Sequence, residues 1–429
     1  MNSKIKQKLI TLLRRSEKYT GTDMVYLAKG SFWWILSRLL LFLLGLIIMI
    51  AFGRWLPKEV FGAYQYILSI VAILAIFSLP GISTALVRAV AKGNEGVFWS
   101  CAKTRFRWAL ISAVGCFAVA GWYLIHQNFI LGISFLIAGF FFPFVTTFNL
   151  FTPFWQGKKR FDIQAKYQVL LKFFSVLVLL PVLFFSNNLV DIVLVFSASS
   201  AFWGAIFFKL TLKATQNGEH LRSASEKNLT SLNVQEKETI SYGKHLTLMS
   251  GLAHFSAHLD KIIIWQMLGP VPLAIYSFAQ LPLSKIQEII PIAPLAFPKL
   301  SERNVKEIKK EVFKKFLKLF FFFIPLTGLA IFLAPYFYKA LFPAYLDSIP
   351  YFQVLALSLI FIPFSLLGIS LLTEMKKRAL YLISFATPLL QLTLFLVLVP
   401  LFQIWGIILA ILIAQLFGNL LTLYFFKKI

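Results

Sequence analysis

"LTLFLVLVPLFQIWGIILAILIAQLFGNLLTLYFF" (392–426) decides the fold class. No Asp, Glu, Lys or Arg interrupts it, and apolar residues fill every face of a helix drawn through it. A second long apolar block, "WWILSRLLLFLLGLIIMIAF" (33–52), interrupted only by Arg38, lies near the other end of the chain. A helix needs about 20 apolar residues to cross a bilayer. The whole sequence is 59% hydrophobic and 17% aromatic, against about 45–50% apolar in a soluble domain. A transmembrane β-barrel would instead show short segments of alternating hydrophobicity. The pattern implies an all-α integral membrane protein.

Working outward from those blocks, hydropathy predicts twelve spans, near 31–52, 62–84, 108–125, 129–150, 167–185, 189–208, 245–267, 273–297, 319–337, 350–372, 380–399 and 403–425. Cations assign the sides. With the N-terminus inside, the inner segments hold 35 of the 42 Lys and Arg residues, and the outer loops hold three, Arg54, Lys58 and Lys339. Cytoplasmic loops carry such an excess. The expectation is a multi-pass protein of the cytoplasmic (inner) membrane with both termini cytoplasmic. The net charge of +25 would suggest nucleic acid for a soluble chain; here orientation accounts for it, and no nucleic-acid partner is expected. Cys101, in a predicted loop, and Cys116, in the next helix, form no plausible disulfide or metal pair. No cleavable signal is evident, because the first apolar block is too long. Residues 1–30 read as a cytoplasmic segment whose "SKIKQKLITLLRRSEKY" (3–19) lies as a basic amphipathic helix on the membrane surface.

Six spans precede and six follow the polar stretch 209–244, which reads as a cytoplasmic linker. The halves are an N-lobe at 31–208 and a C-lobe at 245–429. They resemble each other weakly: "LPKEVFGAY" (56–64) follows span one and "LGPVPLAIY" (268–276) follows span seven. Duplicated halves around a central cavity are a transporter architecture, with the site near the bilayer midplane.

Charge inside the spans marks candidate sites. Through "HFSAHLDKIIIWQMLG" (254–269) and the turns before it, helical spacing of 100° per residue gathers Thr247, Ser250, Gly251, His254, His258, Lys261 and Trp265 on one face, with Asp260 at its flank. Span eight places Ser277, Gln280, Ser284 and Glu288 on a face with Lys285 beside it, and Lys285 and Glu288 are spaced to pair. Arg38 lies in span one and Lys172 early in span five. Charge near mid-bilayer costs at least about 2.5–3.5 kcal/mol and usually faces a cavity or a partner. Arg38 and Lys172 either face such a cavity or snorkel to the headgroups. Asp260 and Lys261 are either an inert pair or part of a cavity, and the histidines either pack or titrate. Four intramembrane cations against two acids suit an anion such as phosphate or pyrophosphate, bound by Arg38, Lys172, Lys261 and Lys285. Asp260 and Glu288, with His254 and His258 nearby, are the ion-coupling candidates. Ser250, Trp265, Ser277, Gln280 and Ser284 are expected to line the cavity.

No G-x-x-x-x-G-K-[ST] or H-E-x-x-H motif occurs, and no catalytic constellation stands out. No enzyme activity, cofactor or metal is expected.

"FGRWLPKEVFGAYQYILSIVAILAIFSLPGISTALVRAVAKG" (52–93) and "LDKIIIWQMLGPVPLAIYSFA" (259–279) resemble the polysaccharide-exporting branch of the multidrug/oligosaccharidyl-lipid/polysaccharide exporter superfamily, the Wzx-type flippases. The first has the Leu-Pro turn, the Gly-x-Tyr entry to span two and the "GISTALVR" exit; in the second, Ala274 stands where the family often has Gly. The resemblance implies a flippase for an undecaprenyl-pyrophosphate-linked oligosaccharide, working by alternating access in surface polysaccharide or lipopolysaccharide synthesis. It implies membrane lipid and polysaccharide polymerase machinery as partners. It adds Arg88 to Arg38 and Lys261 as pyrophosphate contacts, and gives Pro80, Gly81 and the prolines of span eight the role of bends. Two rivals differ in their needs: a cation- or drug-exporting antiporter predicts acids in the first half, and a membrane glycosyltransferase predicts a long outer loop with paired acids.

Overall fold

The computed structural model describes residues 24–220, 229–289, 305–374 and 377–428. The expected surface helix at 3–19 lies outside them. Among the described residues the chain is helical almost throughout, with no strand.

The helices are α1 (Met24–Trp55), α2 (Lys58–Leu74), α3 (Gly81–Ala91), α4 (Val97–Ile125), α5 (Phe129–Phe148), α6 (Phe151–Gly157), α7 (Phe161–Phe185), α8 (Leu189–His220), α9 (Leu229–Leu268), α10 (Pro270–Ile289), α11 (Val305–Leu341), α12 (Ile349–Leu355), α13 (Phe364–Thr373), α14 (Lys377–Phe402) and α15 (Ile404–Lys427). They make twelve spans in two lobes of six. Among the described residues, ten segments are long and apolar enough to cross a membrane. The other two spans are α9 and α10, whose His254, Asp260, Lys261, Gln280 and Lys285 lower their hydropathy.

Among the described residues three spans are broken, each at a proline. Span two runs through α2, a 3-10 turn at Ala75–Ser78, and α3. Pro80 disfavours the α conformation in the residue before it, and Leu79 turns left-handed at φ 57° and ψ 63°. Span four breaks between α5 and α6. Pro153 has no N–H to give the Asn149 carbonyl four residues back, so Thr152 donates to it instead at 3.2 Å. Span ten is a chain of short pieces, Pro343–Ser348, α12, Ala356–Phe361 and α13. There Pro363 cannot serve the Leu359 carbonyl, which accepts from Ile362 N at 3.1 Å.

Most helices outrun their apolar stretches at the end of the bundle where the basic segments cluster, called here the basic end. α4 starts at Val97 rather than near 108, α8 continues to His220, and α9 begins at Leu229. Much of the expected 209–244 linker is therefore an extension of two spans. Cys101 lies in α4, not in a loop, and both cysteines are free and buried. Hydropathy marks the lipid-facing part of a helix, not its polar ends.

The buried cores show how the lobes meet. At the opposite end one continuous core joins both lobes, with Met49, Phe52, Phe61 and Tyr64 from the first and Leu273, Phe278, Phe342 and Tyr345 from the second. At the basic end the cores are separate. One is built on Leu86, Phe98, Phe154 and Phe207 of the first lobe, the other on Val312, Phe316, Leu367 and Phe426 of the second. Close approach holds the shared end, as lipid-embedded helices require small residues where they touch. A β-carbon on Gly62 would sit 2.0 Å from the Pro270 carbonyl oxygen, so α2 rests directly on the turn that opens α10.

Candidate functional site

A cavity of about 640 Å³ lies inside the first lobe. Five spans build it. α1 gives Arg38 and Leu41, α3 gives Ser83 and Thr84, α4 gives Arg105, the α5–α6 break gives Asn149, Thr152 and Gln156, and α7 gives Gln168 and Lys172. Among the described residues its lining holds three cations, several amides and hydroxyls, and no carboxylate.

Each wall follows from local structure. The proline break in span four turns Asn149, Thr152 and Gln156 inward, and Gln168 Nε2 reaches Thr152 Oγ1 at 3.5 Å. Lys172 sits near the middle of α7 and lines the same space as Arg38. The Arg105 guanidinium donates through Nη1 to Ser83 Oγ at 2.6 Å, while its buried Nε has no partner. A guanidinium carries five N–H donors, so Arg105 keeps donors for an anion.

Arg38 and Lys172 thus meet in one cavity, as one of their two readings required. Arg105 was missed. It stands in the run "KTRFRW" (103–108), which reads as a basic loop; only the early start of α4 puts it two turns inside a helix. Arg88 does not line the cavity. Its guanidinium lies 4.9 Å from the ring of Tyr242 on α9.

The polar stripe of α9 has a different setting: much of it packs on span two of the other lobe. Thr247 Oγ1 accepts from Gly81 N at 3.0 Å. Lys261 Nζ donates to Gln65 Oε1 at 3.2 Å. Trp265 stacks on Tyr66 with centroids 4.5 Å apart, and Gln266 Nε2 reaches Tyr66 Oη at 3.4 Å. His254 is exposed and His258 half-buried. Ser250 turns back on its own helix, to the Leu246 carbonyl at 3.1 Å.

Asp260 and Lys261 are not paired with each other through their charged ends. Asp260, 2% exposed, accepts from Tyr276 Oη of α10 at 2.5 Å and from Lys261 N at 2.8 Å. The carboxylate faces its own lobe and the ammonium faces the other, as a 100° step demands. On α10, Gln280 Nε2 reaches Tyr276 Oη at 3.5 Å, Ser277 is buried, and Ser284 bonds the Leu281 carbonyl at 2.8 Å. Lys285 lies along α1: a β-carbon on Gly45 would sit 3.6 Å from its Cε. The Glu288 side chain falls outside the described residues. Arg38 and Gly45 are two helical turns apart on one face of α1, about 10 Å. Lys285 therefore stands beyond the cavity in the direction of the opposite end.

That opposite end is tied across the lobes. Lys58 pairs with Asp347 at 3.1 Å. Arg54 Nη2 donates to the Ala340 carbonyl at 2.8 Å, at the C-terminus of α11, where a cation also suits the helix dipole. Phe278 stacks on Tyr345 at 3.7 Å and packs on Phe61 at 4.7 Å.

The family described as "Polysaccharide biosynthesis protein" matches residues 27–304. Among solved structures, "Lipid II flippase MurJ, inward closed conformation" superposes with a TM-score of 0.69 at 14% identity, over 93% of this chain and 87% of that one. An inward-facing multidrug resistance MATE family transporter of the MOP superfamily gives 0.63 at 14% identity, over 92% and 97%. An outward-facing member of the same description gives 0.60 at 12%, over 94% and 95%. At these identities the likeness is one of fold. No curated protein matches the sequence.

Proposed function

The chain belongs to the polysaccharide biosynthesis protein family, and from that premise we propose that it flips an undecaprenyl-pyrophosphate-linked oligosaccharide across the cytoplasmic membrane by alternating access. One observation carries the reading: a cavity lined by Arg38, Arg105 and Lys172, with no carboxylate among the described residues of its lining. Charge-assisted hydrogen bonds to phosphate oxygens are roughly twice as strong as neutral ones, and the planar guanidinium matches phosphate geometry. Asn149, Gln156, Gln168 and Thr152 supply donors and acceptors for the sugars. A cation-exporting antiporter needs an acid facing its cargo, and this lining offers none.

In this reading the basic end is cytoplasmic. The separate cores at that end and the shared core at the other describe a state closed to the outside. Single cysteines at Lys213 and Lys428 are then shielded from an impermeant maleimide in intact cells; labelling at either site reverses the orientation. Asp260, with His254, His258 and Glu288 on the same pair of spans, is the proposed ion-coupling group.

The decisive test is rescue of surface polysaccharide in a flippase-deficient strain, normalised to protein in the membrane. It is paired with binding of undecaprenyl pyrophosphate to protein in nanodiscs. Arg105→Ala should lose both. Wild-type affinity in Arg105→Ala and Lys172→Ala would move the pyrophosphate site elsewhere.

A further inference from the structure

The ammonium of Lys261 faces a neutral amide. Its side-chain partner is Gln65 Oε1 at 3.2 Å, and no ion pair involving it occurs among the described residues. The neighbouring acid is committed elsewhere, to Tyr276 Oη and to the Lys261 backbone N–H. Gln65 itself is 6% exposed. A cation held in a poorly solvated place by one neutral acceptor, with no carboxylate in contact with its ammonium, is only weakly satisfied. Two of its three donors are left for a stronger acceptor.

The bond also crosses the lobes. Gln65 belongs to α2, Lys261 to α9, and each lies seven residues from the opposite-end terminus of its helix, about 10 Å. The Tyr66–Trp265 stack and the Gln266–Tyr66 bond flank it on the same two helices. Along the path from the cavity, the cations come in order: Arg38, Arg105 and Lys172 in the first lobe, Lys285 beside Gly45, then Lys261 nearest the tied end.

We propose that Gln65 and Lys261 form a clasp between the lobes that an anionic headgroup releases, Lys261 exchanging the Gln65 amide for a phosphate oxygen when the headgroup reaches that depth. This rests on the pyrophosphate reading above and adds its regulation: the closed end yields to the cargo and not before it. A ligand shifts the lobes only by the difference in its affinity for the two states, and the clasp supplies that difference, because Lys261 is occupied in one state and available in the other. Gln65 is here a positioning residue that acts through Lys261. A carboxylate at position 65 would neutralise the ammonium and fix the clasp; an apolar side chain would remove it.

The test uses the full chain in nanodiscs, with Cys101→Ala and Cys116→Ala and reporter cysteines Lys58→Cys and Asp347→Cys, joined by a short bismaleimide. The probe is undecaprenyl pyrophosphate. With Gln65 in place, the probe should slow cross-linking by about fivefold or more, the scale of ordinary coupling between sites. Gln65→Glu should cross-link fast and ignore the probe, while still binding it through the first-lobe cavity, about fivefold more weakly than the parent because the coupling is reciprocal. Gln65→Leu should cross-link slowly with or without the probe, and gives the opposite signature should the acid variant not fold. If the probe binds in an Arg105-dependent manner yet leaves cross-linking unchanged, or if Gln65→Glu responds like the parent, the clasp is refuted and the pyrophosphate reading stands. If the probe does not bind the parent at all, that reading fails and takes the clasp with it.

Discussion

The first-lobe cavity and the polar stripe of α9 both hold cations among apolar spans, and they differ in what the cations face. In the cavity, Arg38, Arg105 and Lys172 converge on about 640 Å³ of space. On α9, Lys261 and Asp260 are each bonded to a tyrosine or an amide on a neighbouring helix. Convergence on space suits binding. Bonding across a helix interface suits holding a conformation. The same charge among apolar spans therefore does not mean the same work.

The largest effect expected from this contrast is in the cavity. Arg105→Glu or Lys172→Glu places an acid where phosphate should sit, and transport should fall by about a hundredfold with probe binding lost. Lys261→Glu should lose transport as well but keep probe binding; Lys261→Arg should retain part of the activity. Loss of binding in Lys261→Glu would erase the distinction between the two regions.

Next comes the contact that joins them. Gly81 stands two residues from Ser83 of the cavity and touches Thr247 of the stripe, and a β-carbon there would sit 2.3 Å from the Gly243 carbonyl oxygen. Gly81→Ala should destabilise the protein by about 1–3 kcal/mol or more, as overpacking does. Thermal unfolding in detergent measures it; an unchanged midpoint would mean that the lobes separate there freely.

Tyr276→Phe removes one hydrogen bond from buried Asp260, at about 1–3 kcal/mol. If Asp260 couples an ion, transport in this variant should change its dependence on pH or sodium, and Asp260→Asn should abolish that dependence. A stability loss with unaltered ion dependence would make the pair purely structural. The smallest effect belongs to Lys58→Ala. Its partner Asp347 is largely exposed, so the expected stability change is about 0–1 kcal/mol, read by the same unfolding experiment.

The membrane class and the twelve spans were legible because about 20 apolar residues have few uses besides crossing a bilayer. The breaks at Pro80, Pro153 and Pro363 were less so, since hydropathy runs through them unchanged. The convergence of Arg38 and Lys172 was half legible: each looked anomalous alone, but nothing local shows that two helices turn these residues to the same space. Arg105 was hidden by its company. A cation among other cations at the start of a span looks like a loop, and only the helix reaching back to Val97 draws it into the cavity. That the polar face of α9 rests on α2 and α3 is tertiary information, carried by glycines at positions 81 and 243 whose meaning needs the partner helix.

The backbone contact of Gly81 with Gly243 and Thr247 has a mechanical consequence. If this contact is kept while the one at Gly62 opens, it acts as a fulcrum. From Gly81 to Gly62 span two rises about 28 Å if treated as one helix. On a lever of that length, a tilt of about 10° parts the far tips by about 5 Å, enough to separate Lys58 from Asp347 and Phe61 from Phe278. Spin labels beside the fulcrum should therefore keep their spacing through the cycle, while labels at the tips record nearly the whole stroke.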